Sequence, residues 1–210
     1  MEHSVEKRLT DELLAGASAV GFPVDAATAK RLLDYLDLLL KWNRKVNLTS
    51  VTDPGEAVEV HLVDSLAPAR LLGSAGSLLD MGAGGGLPGI PLAIVLPQLR
   101  VTLVDSVGKK VGFLKAAIAA LGLSNANAVQ ARVAGEPARE GLPIVDVAIC
   151  RALMAPGDWV RLARPYIKDA GRILAMLGAE TPIPTDLEVV EEIEYRLLRS
   201  KAVRRVVAFR

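Results

Sequence analysis

Hydrophobic residues follow two different periods along this chain. Up to about residue 72 they recur at intervals of three and four, the spacing of one face of an amphipathic helix, as in Leu32 and Leu36. Asp25 stands where an N-cap residue would begin that helix, and Asp53 has the same position ahead of the next one. Further along, short apolar runs alternate with helical ones. The pattern therefore predicts an N-terminal helical segment, residues 1–72, packed on a second domain formed by residues 73–210.

The second half of the chain predicts seven strands. They are Leu78–Met81, Val101–Asp105, Ala126–Gln130, Val145–Cys150, Arg172–Leu177, Glu191–Leu198 and Ala202–Phe209. Strands that alternate with helices indicate an α/β fold whose sheet is mostly parallel and covered on both faces, and the last two strands suit a hairpin. In such folds the ligand binds at the carboxyl ends of the strands, near the point where the strand order reverses.

A glycine-rich turn follows the first predicted strand, which ends in Asp80. Four glycines lie among the next residues up to Leu87: Gly82, Gly84, Gly85 and Gly86. Glycine is needed where the backbone has a positive φ or approaches a ligand closely, and the N-terminus of the helix that follows favours anionic groups. The turn predicts a cradle for a nucleotide cofactor. The alternative is a surface turn that binds nothing.

Two registers of this turn indicate different cofactors. Gly84-x-Gly86-x-x-Gly89 satisfies the dinucleotide-binding pattern. Asp80-x-Gly82-x-Gly84-x-Gly86 resembles motif I of the methyltransferases that use S-adenosylmethionine (AdoMet), in which an acid closes the strand just ahead of the glycines. The first register leaves open an NAD-binding module. The second favours a methyltransferase.

The next strand ends in a second acid, Asp105, which follows Gly82 by 23 positions. An acid at about this distance lies at the tip of the neighbouring strand and can accept hydrogen bonds from both hydroxyls of a ribose. Asp105 could instead cap the helix that begins near Val107. Ser106 could also serve as that cap, so we favour the ribose role for Asp105.

Composition narrows the class of protein further. Hydrophobic residues make up 51% of the 210 residues, and 25 basic against 24 acidic side chains give a net charge of +1, which neither favours nor excludes a nucleic-acid partner. A single cysteine, Cys150, and two histidines predict neither a disulfide framework nor a zinc site, so no metal is expected. No signal peptide or membrane span is visible. We expect a cytoplasmic monomer.

Motifs along most of the chain resemble a known family, the bacterial small-subunit rRNA guanine-N7 methyltransferases, also called glucose-inhibited division protein B. The matching segments are Lys41-Trp42-Asn43, Asn47-Leu48-Thr49-Ser50, His61 with Asp64-Ser65-Leu66, Leu87-Pro88-Gly89-Ile90-Pro91-Leu92, Lys109-Lys110 with Phe113-Leu114, and Arg151-Ala152. The resemblance implies a Rossmann-like class I AdoMet-dependent fold. It also implies methyl transfer from AdoMet to N7 of a guanine in 16S rRNA, guanine 527 of the 530 loop.

The resemblance also extends the list of cofactor-binding candidates. To Gly84, Gly86 and Asp105 from the pattern it adds Gly82, Leu87, Val133, Ala134 and Arg151. Two positions depart from the family. Ala134 stands where the family usually has a glutamate, so a side-chain contact there is in doubt, and Val60 replaces a basic residue before the histidine.

N7 of guanine carries no proton, so its methylation requires no general base, and the site must mainly align the reactants and exclude water. Asp80 and Arg151 are the candidates for this positioning. Asp80 could favour the shift of positive charge onto guanine, or simply hold the glycine loop by hydrogen bonds. Arg151 could contact guanine O6, a phosphate or the carboxylate of the cofactor.

Basic side chains near the predicted cleft could bind RNA phosphates. These candidates, the basic rim, are Lys41, Arg44, Lys45, Lys109, Lys110 and Arg132. Taken singly, each fits a solvated surface better than an RNA contact. His61 is expected to be a core histidine bonded to Asp64, and Trp42 a packing residue.

The expected partner is 16S rRNA or the 30S subunit. A methyltransferase of another RNA or of a small molecule is the alternative, and the near-neutral charge keeps it open.

Overall fold

Seven strands form a single sheet in the computed structural model, which describes residues 2–151 and 154–210. The strands are β1 (Ser77–Met81), β2 (Arg100–Asp105), β3 (Ala126–Gln130), β4 (Val145–Arg151), β5 (Ile167–Gly178), β6 (Val189–Arg196) and β7 (Val203–Phe209). Their order is β3-β2-β1-β4-β5-β7-β6. β1 to β5 are parallel, whereas β7 is antiparallel to both β5 and β6. The predicted fold class and the terminal hairpin are confirmed.

Helices surround this sheet and make up the first part of the chain. They are α1 (Glu2–Ala19), α2 (Ala26–Val46), α3 (Pro54–Ala57), a π-helical turn (Val58–Val63), α4 (Asp64–Leu66), α5 (Gly89–Val95), α6 (Gly108–Ala120), α7 (Pro137–Glu140) and α8 (Pro156–Ala163). Short 3₁₀ helices follow α4 and α8. Asp25 caps α2 by accepting a 2.7 Å hydrogen bond from the Thr28 N–H, as its sequence position predicts. The sequence pattern did not predict the short α7.

Strand alternation divides the core into two layers. Leu78, Ile149 and Leu174 point to one face and join the larger apolar cluster, which includes buried residues of α1 and α2. Leu79 and Cys150 point to the other face, where α8 covers them. The helical segment therefore shares a core with one face of the sheet, and the boundary at residues 72 and 73 stays a prediction.

Two buried carboxylates tie the helical segment to the terminal hairpin. Glu59, in the π-helical turn, accepts a hydrogen bond of 2.8 Å from the backbone N–H of Ser200. Asp64 accepts one of 2.7 Å from the hydroxyl of Tyr195. These contacts hold the first helices across the ends of β6 and β7. Within the part of the chain that the structure describes, no helix is long and apolar enough to cross a membrane.

Candidate active site

The glycine loop, residues 82–87, leaves the carboxyl end of β1 in a conformation that requires glycine. Gly82, Gly84 and Gly86 have φ angles of +73°, +56° and +88°. The backbone N–H groups of Gly82 and Ala83 both donate 2.9 Å hydrogen bonds to the carbonyl oxygen of Val104. The loop is thereby held against the end of β2.

Glycines in and after this loop serve two different purposes. A Cβ on Gly86 would lie 2.6 Å from Ile90 Cδ1, and one on Gly89 would lie 2.7 Å from Asp80 Oδ2, so both positions are glycine because the packing is tight. A Cβ on Gly84 would meet nothing closer than the Gly82 carbonyl oxygen, at 3.8 Å. Gly84 therefore borders open space, as a position facing a ligand must.

Asp105 is buried at the end of β2 and bonds to the glycine loop directly. Its Oδ2 accepts a 3.0 Å hydrogen bond from the Gly84 N–H, and its Oδ1 accepts one of 2.8 Å from the Val107 N–H, just before α6. Asp105 thus orders the loop and the start of the helix together. Each carboxylate oxygen can accept more than one hydrogen bond, so the predicted ribose role remains open.

The β3 loop, residues 131–136, contains the candidates Val133 and Ala134 and is ordered by Glu140. One carboxylate oxygen of Glu140 accepts from the backbone N–H groups of Ala134, at 2.9 Å, and Glu136, at 3.0 Å. The other accepts from the hydroxyl of Tyr166, at 2.5 Å. Burial and the bond to Glu140 raise the pKa of Tyr166 to about 12, so the phenol stays protonated as a donor. The Ala134 N–H is therefore already paired within the chain.

Asp80 lies beneath the glycine loop and is almost fully buried. Its Oδ2 accepts a 2.8 Å hydrogen bond from the Gly89 N–H, while its Oδ1 is buried without a hydrogen-bond partner among the described residues. Burial raises the pKa of Asp80 to about 7, and Asp105 acts in the same direction, whereas the Gly89 bond and Arg151 lower it. The bond to Gly89 supports the loop-holding role of Asp80.

The side chain of Arg151 bonds to the helical segment, whereas that of Asp105 bonds to the glycine loop. Its Nη1 donates a 2.8 Å hydrogen bond to the Val60 carbonyl oxygen and lies 3.6 Å from Asp64 Oδ2. It lines a cavity of about 440 Å³ at the carboxyl ends of β4 and β5, together with Asp64 and Tyr195. We call this space the β4–β5 cavity. Ala152, which follows Arg151 in the matching motif, lies outside the described residues.

Strand register shows that this cavity is next to the glycine loop. Asp80 of β1 pairs with Ile149 of β4, so Arg151, two residues further on, is level with Gly82. β1 and β4 are also the strands between which the order of the sheet reverses, the place where ligands of open α/β sheets bind. The cavity and the glycine loop therefore lie side by side at this edge of the sheet, and we call them the two halves of the candidate site.

His61 is buried in the wall of the β4–β5 cavity, but the expectation that Asp64 is its partner is wrong. Nε2 of His61 lies 2.8 Å from the Thr49 hydroxyl oxygen, whereas Asp64 bonds to Tyr195. Burial and the positive charge of Arg151 lower the pKa of His61 to about 4, so the imidazole is neutral near pH 7. Successive helical turns place His61 and Asp64 on one face, but the partner of His61 lies 12 positions before it and the partner of Asp64 lies 131 positions after it.

The burial of Asp64 raises the pKa of its carboxyl group, although hydrogen bonding to Tyr195 and the charges of Arg151 and Arg204 act in the opposite direction. Asp64, Tyr195, Arg204, Glu140 and Tyr166 were not among the sequence candidates. Asp64 lies in a segment that resembles the family, but no local motif marks the other four residues, which come from different elements of the fold.

The basic rim lies on neighbouring elements, and all of its members are exposed except Lys110, which is half-buried. Lys41 lies near the end of α2 and forms an ion pair with Asp37, and Lys109 and Lys110 lie at the start of α6. The two helices meet where the rings of Trp42 and Phe113 are 5.7 Å apart, in agreement with the packing role predicted for Trp42. The remaining members, Arg44, Lys45 and Arg132, lie at the end of α2 and in the β3 loop.

Comparison with known proteins identifies the family. The model of the family described as rRNA small subunit methyltransferase G matches residues 28–203. The chain is 47% identical over 210 residues to Ribosomal RNA small subunit methyltransferase G of Myxococcus xanthus (strain DK1622), covering 96% of this chain and 97% of that protein. It is 40% identical over 201 residues to the protein of the same name from Chromohalobacter salexigens, covering 93% and 94%.

Solved structures support the fold. TrmN from Thermus thermophilus has a TM-score of 0.52 and 19% identity, covering 70% of this chain and 48% of that one. A point mutant of MtNAS in complex with S-adenosylmethionine has a TM-score of 0.53 and 17% identity, covering 89% and 78%. At such identities the likeness concerns the fold alone. The extent of the family match and the identity to full-length relatives show that this chain belongs to the rRNA small subunit methyltransferase G family.

Proposed function

We propose that this rRNA methyltransferase transfers the methyl group of AdoMet to N7 of one guanine of 16S rRNA, guanine 527 in the 530 loop, and that it acts in the cytoplasm on 16S rRNA or the 30S subunit. The observation that carries the proposal is the open space over Gly84, bordered by the buried carboxylate of Asp105, in a chain of this family. The target base and atom rest on the family resemblance.

The residues of the glycine loop fit AdoMet. The backbone at Gly82 and Gly84 would approach the cofactor closely, and the carboxylate of Asp105 would accept hydrogen bonds from the ribose. The β3 loop, with Val133 and Ala134, would lie along the adenine, and Gly86 and Leu87 would complete the cradle from beneath. Arg151, also a cofactor candidate, lies at the boundary with the β4–β5 cavity.

Little proton chemistry is needed from the chain. AdoMet, when bound, supplies a methyl group on a positively charged sulfur, and guanine N7 takes it with its lone pair while the electron pair of the broken C–S bond stays on sulfur. The walls of the site would exclude water once both reactants are bound, and the loops would hold the two reactants in line. The basic rim would hold RNA phosphates nearby.

The strand order disfavours the NAD-binding alternative. Dinucleotide-binding sheets of the Rossmann type have the order 3-2-1-4-5-6. Here the last strand is inserted antiparallel between β5 and β6. Gly84-x-Gly86-x-x-Gly89 is present, but Gly89 is needed for packing against Asp80.

The test is to incubate the protein with methyl-labelled AdoMet and, separately, 16S rRNA, 30S subunits and total tRNA, and then to map the labelled base. We expect label on N7 of a single guanine of 16S rRNA. Label on tRNA alone, or on another atom or base of 16S rRNA, would contradict the proposal. A Gly84→Val variant serves as the control for background methylation.

A further inference from the structure

The β4–β5 cavity has no assigned ligand, although it adjoins the glycine loop. At about 440 Å³ it lies within the range of small-ligand sites, roughly 300–1,000 Å³. Its walls come from separate elements: the π-helical turn, the ends of β4 and β5, and the terminal hairpin. A space of this kind beside a cofactor cleft is positioned to hold the group that reacts with the cofactor.

Polar groups of both charges line this cavity. Asp64 as a whole residue is 7% exposed, its carboxylate is anchored by Tyr195, and the guanidinium of Arg151 lies at 3.6 Å. Two further polar atoms in the wall, Nδ1 of His61 and Nε of Arg204, are buried without a hydrogen-bond partner among the described residues. Buried polar atoms are rarely left unpaired, so the chain leaves more polar groups in this wall than it satisfies itself.

We propose that the β4–β5 cavity receives the target guanine and that Asp64 is the residue that selects guanine over other bases. The proposal rests on the proposed function. A carboxylate can accept hydrogen bonds from both N1–H and the exocyclic 2-amino group of guanine, while an arginine beside it donates to O6. Asp64 and Arg151 present this pair side by side.

The same pair explains the rejection of other ligands. Adenine has an acceptor at N1, which would face the carboxylate of Asp64 without a proton between them, and a buried unpaired acceptor is costly. A phosphate would be drawn to Arg151 and Arg204 but repelled by Asp64. Guanine alone among the four bases offers two adjacent donors and an acceptor on one edge.

Recognition through this edge leaves the reactive atom free. Asp64 and Arg151 would engage N1, N2 and O6, none of which is N7. Met176 and Leu197 provide apolar wall on which the faces of the base can pack. A base held in this way stands level with Gly82, on the β4 side of the cofactor.

The decisive experiment is a double-mutant cycle between the protein and the base. The substrate is prepared with guanine or with hypoxanthine, which lacks only the 2-amino group, at the methylated position. Single-turnover methylation is measured for wild type and Asp64→Asn. Asparagine keeps an acceptor for Tyr195 but replaces one carboxylate oxygen by an N–H donor. For wild type we expect the hypoxanthine substrate to react about 10-fold more slowly, the size expected for a hydrogen bond to a charged group.

In Asp64→Asn we expect methylation of guanine to fall by about 10-fold or more, and the penalty for hypoxanthine to shrink to less than about 2-fold. The same coupling should appear in the equilibrium affinity for the two RNAs in the presence of S-adenosylhomocysteine, which cannot donate a methyl group. AdoMet affinity by calorimetry should be unchanged. Asp34→Asn is the matched control, because Asp34 is exposed on α2 and pairs with Lys30.

Three other outcomes would overturn the assignment of Asp64, and one of them would also overturn the proposed function. Equal penalties for hypoxanthine in wild type and Asp64→Asn, with guanine methylated normally, would overturn the assignment of Asp64 and leave the proposed function standing. Loss of AdoMet affinity in Asp64→Asn would place Asp64 in the glycine-loop half, which we propose to be the cofactor half, and would also overturn the assignment. Failure of the wild type to methylate any guanine of 16S rRNA would overturn both proposals.

Discussion

The two halves of the candidate site differ in the chemical groups that form them. The glycine loop side, at the ends of β1 and β2, consists of backbone groups and one carboxylate that lie close together in sequence. The β4–β5 cavity is lined by charged and aromatic side chains from the helical segment, β4 and the terminal hairpin. A backbone cradle suits a cofactor whose shape is constant, whereas side chains offer the donor and acceptor pattern that distinguishes one base from another.

The largest effect is expected from a substitution at Gly84, in the glycine-loop half. Gly84→Val should lower AdoMet affinity by more than about 100-fold, because the added side chain fills the space over the loop and strains a residue whose φ is +56°. Calorimetric titration with AdoMet measures the change.

Gly122→Val is the matched control, since Gly122 has a φ of +61° and also faces open space, but follows α6 away from the loop. It should lose similar stability and keep its AdoMet affinity. Normal AdoMet affinity in Gly84→Val would mean that the loop is not the cofactor cradle.

Arg151 tests where the boundary between the halves lies. The sequence predicts it as a cofactor residue, but its side chain lines the β4–β5 cavity. Arg151→Gln should reduce methyl transfer to RNA by about 10-fold or more, the size of a lost hydrogen bond to a charged group, while AdoMet affinity changes by less than about 3-fold.

Binding titrations and single-turnover assays on the same variant separate the two effects. Arg161→Gln, at an exposed arginine of α8, controls for the loss of charge. Equal losses of AdoMet affinity and methyl transfer would assign Arg151 to the cofactor half.

Tyr35 tests whether α2 supports the cofactor half. Its buried hydroxyl donates a 2.6 Å hydrogen bond to the carbonyl oxygen of Gly85. Tyr35→Phe should weaken AdoMet binding by about 5-fold, because one neutral hydrogen bond is lost and the loop is held less firmly. In Tyr195→Phe, which loses a buried hydrogen bond to Asp64 instead, the affinity for AdoMet should stay the same. If Tyr35→Phe and Tyr195→Phe bind AdoMet with the same affinity, the glycine loop does not depend on the hydroxyl of Tyr35.

The smallest effect concerns Asp80 and is a pH dependence. Since the pKa of Asp80 is raised to about 7 from its ordinary value of 3.8, the folded state binds the proton more tightly than the unfolded state. Stability contributed by this group is therefore present at low pH and declines as pH rises through about 7. Asn cannot ionise, so the melting temperature of Asp80→Asn relative to wild type should rise by about 3 °C or more between pH 5 and pH 8.

Asp146 provides a control of opposite sign. Its bonds to Lys168 and Ser77 lower its pKa to about 2, so its contribution is complete above about pH 4 and is lost only as pH falls toward 2. Asp146→Asn should show a constant difference from wild type between pH 5 and pH 8. A constant difference for Asp80→Asn as well would mean that Asp80 is already ionised throughout this range in the folded protein.

The sequence reveals local features well. The glycine turn and the caps at Asp25 and Asp53 were predicted, because each depends on residues within a few positions. The place of Asp105 at the end of β2 was predicted from one strand–helix–strand unit, whereas its ribose role stays a prediction. The β4–β5 cavity was not predicted, since Asp64 and Tyr195 are 131 positions apart and meet only when the hairpin packs on the helical segment. The partner of His61 was mistaken because Asp64 is bonded to Tyr195 and Thr49 takes its place beside the imidazole.

The contact between Asp64 and Tyr195 also has a consequence for biosynthesis. A nascent chain that has emerged as far as Tyr166 already contains the glycine loop, Asp105 and the residues that order the β3 loop. The wall that Tyr195 and Arg204 contribute is translated later. During synthesis the chain thus possesses all the parts of its glycine-loop half before it possesses those of the cavity beside it, and the order of translation separates the two in time.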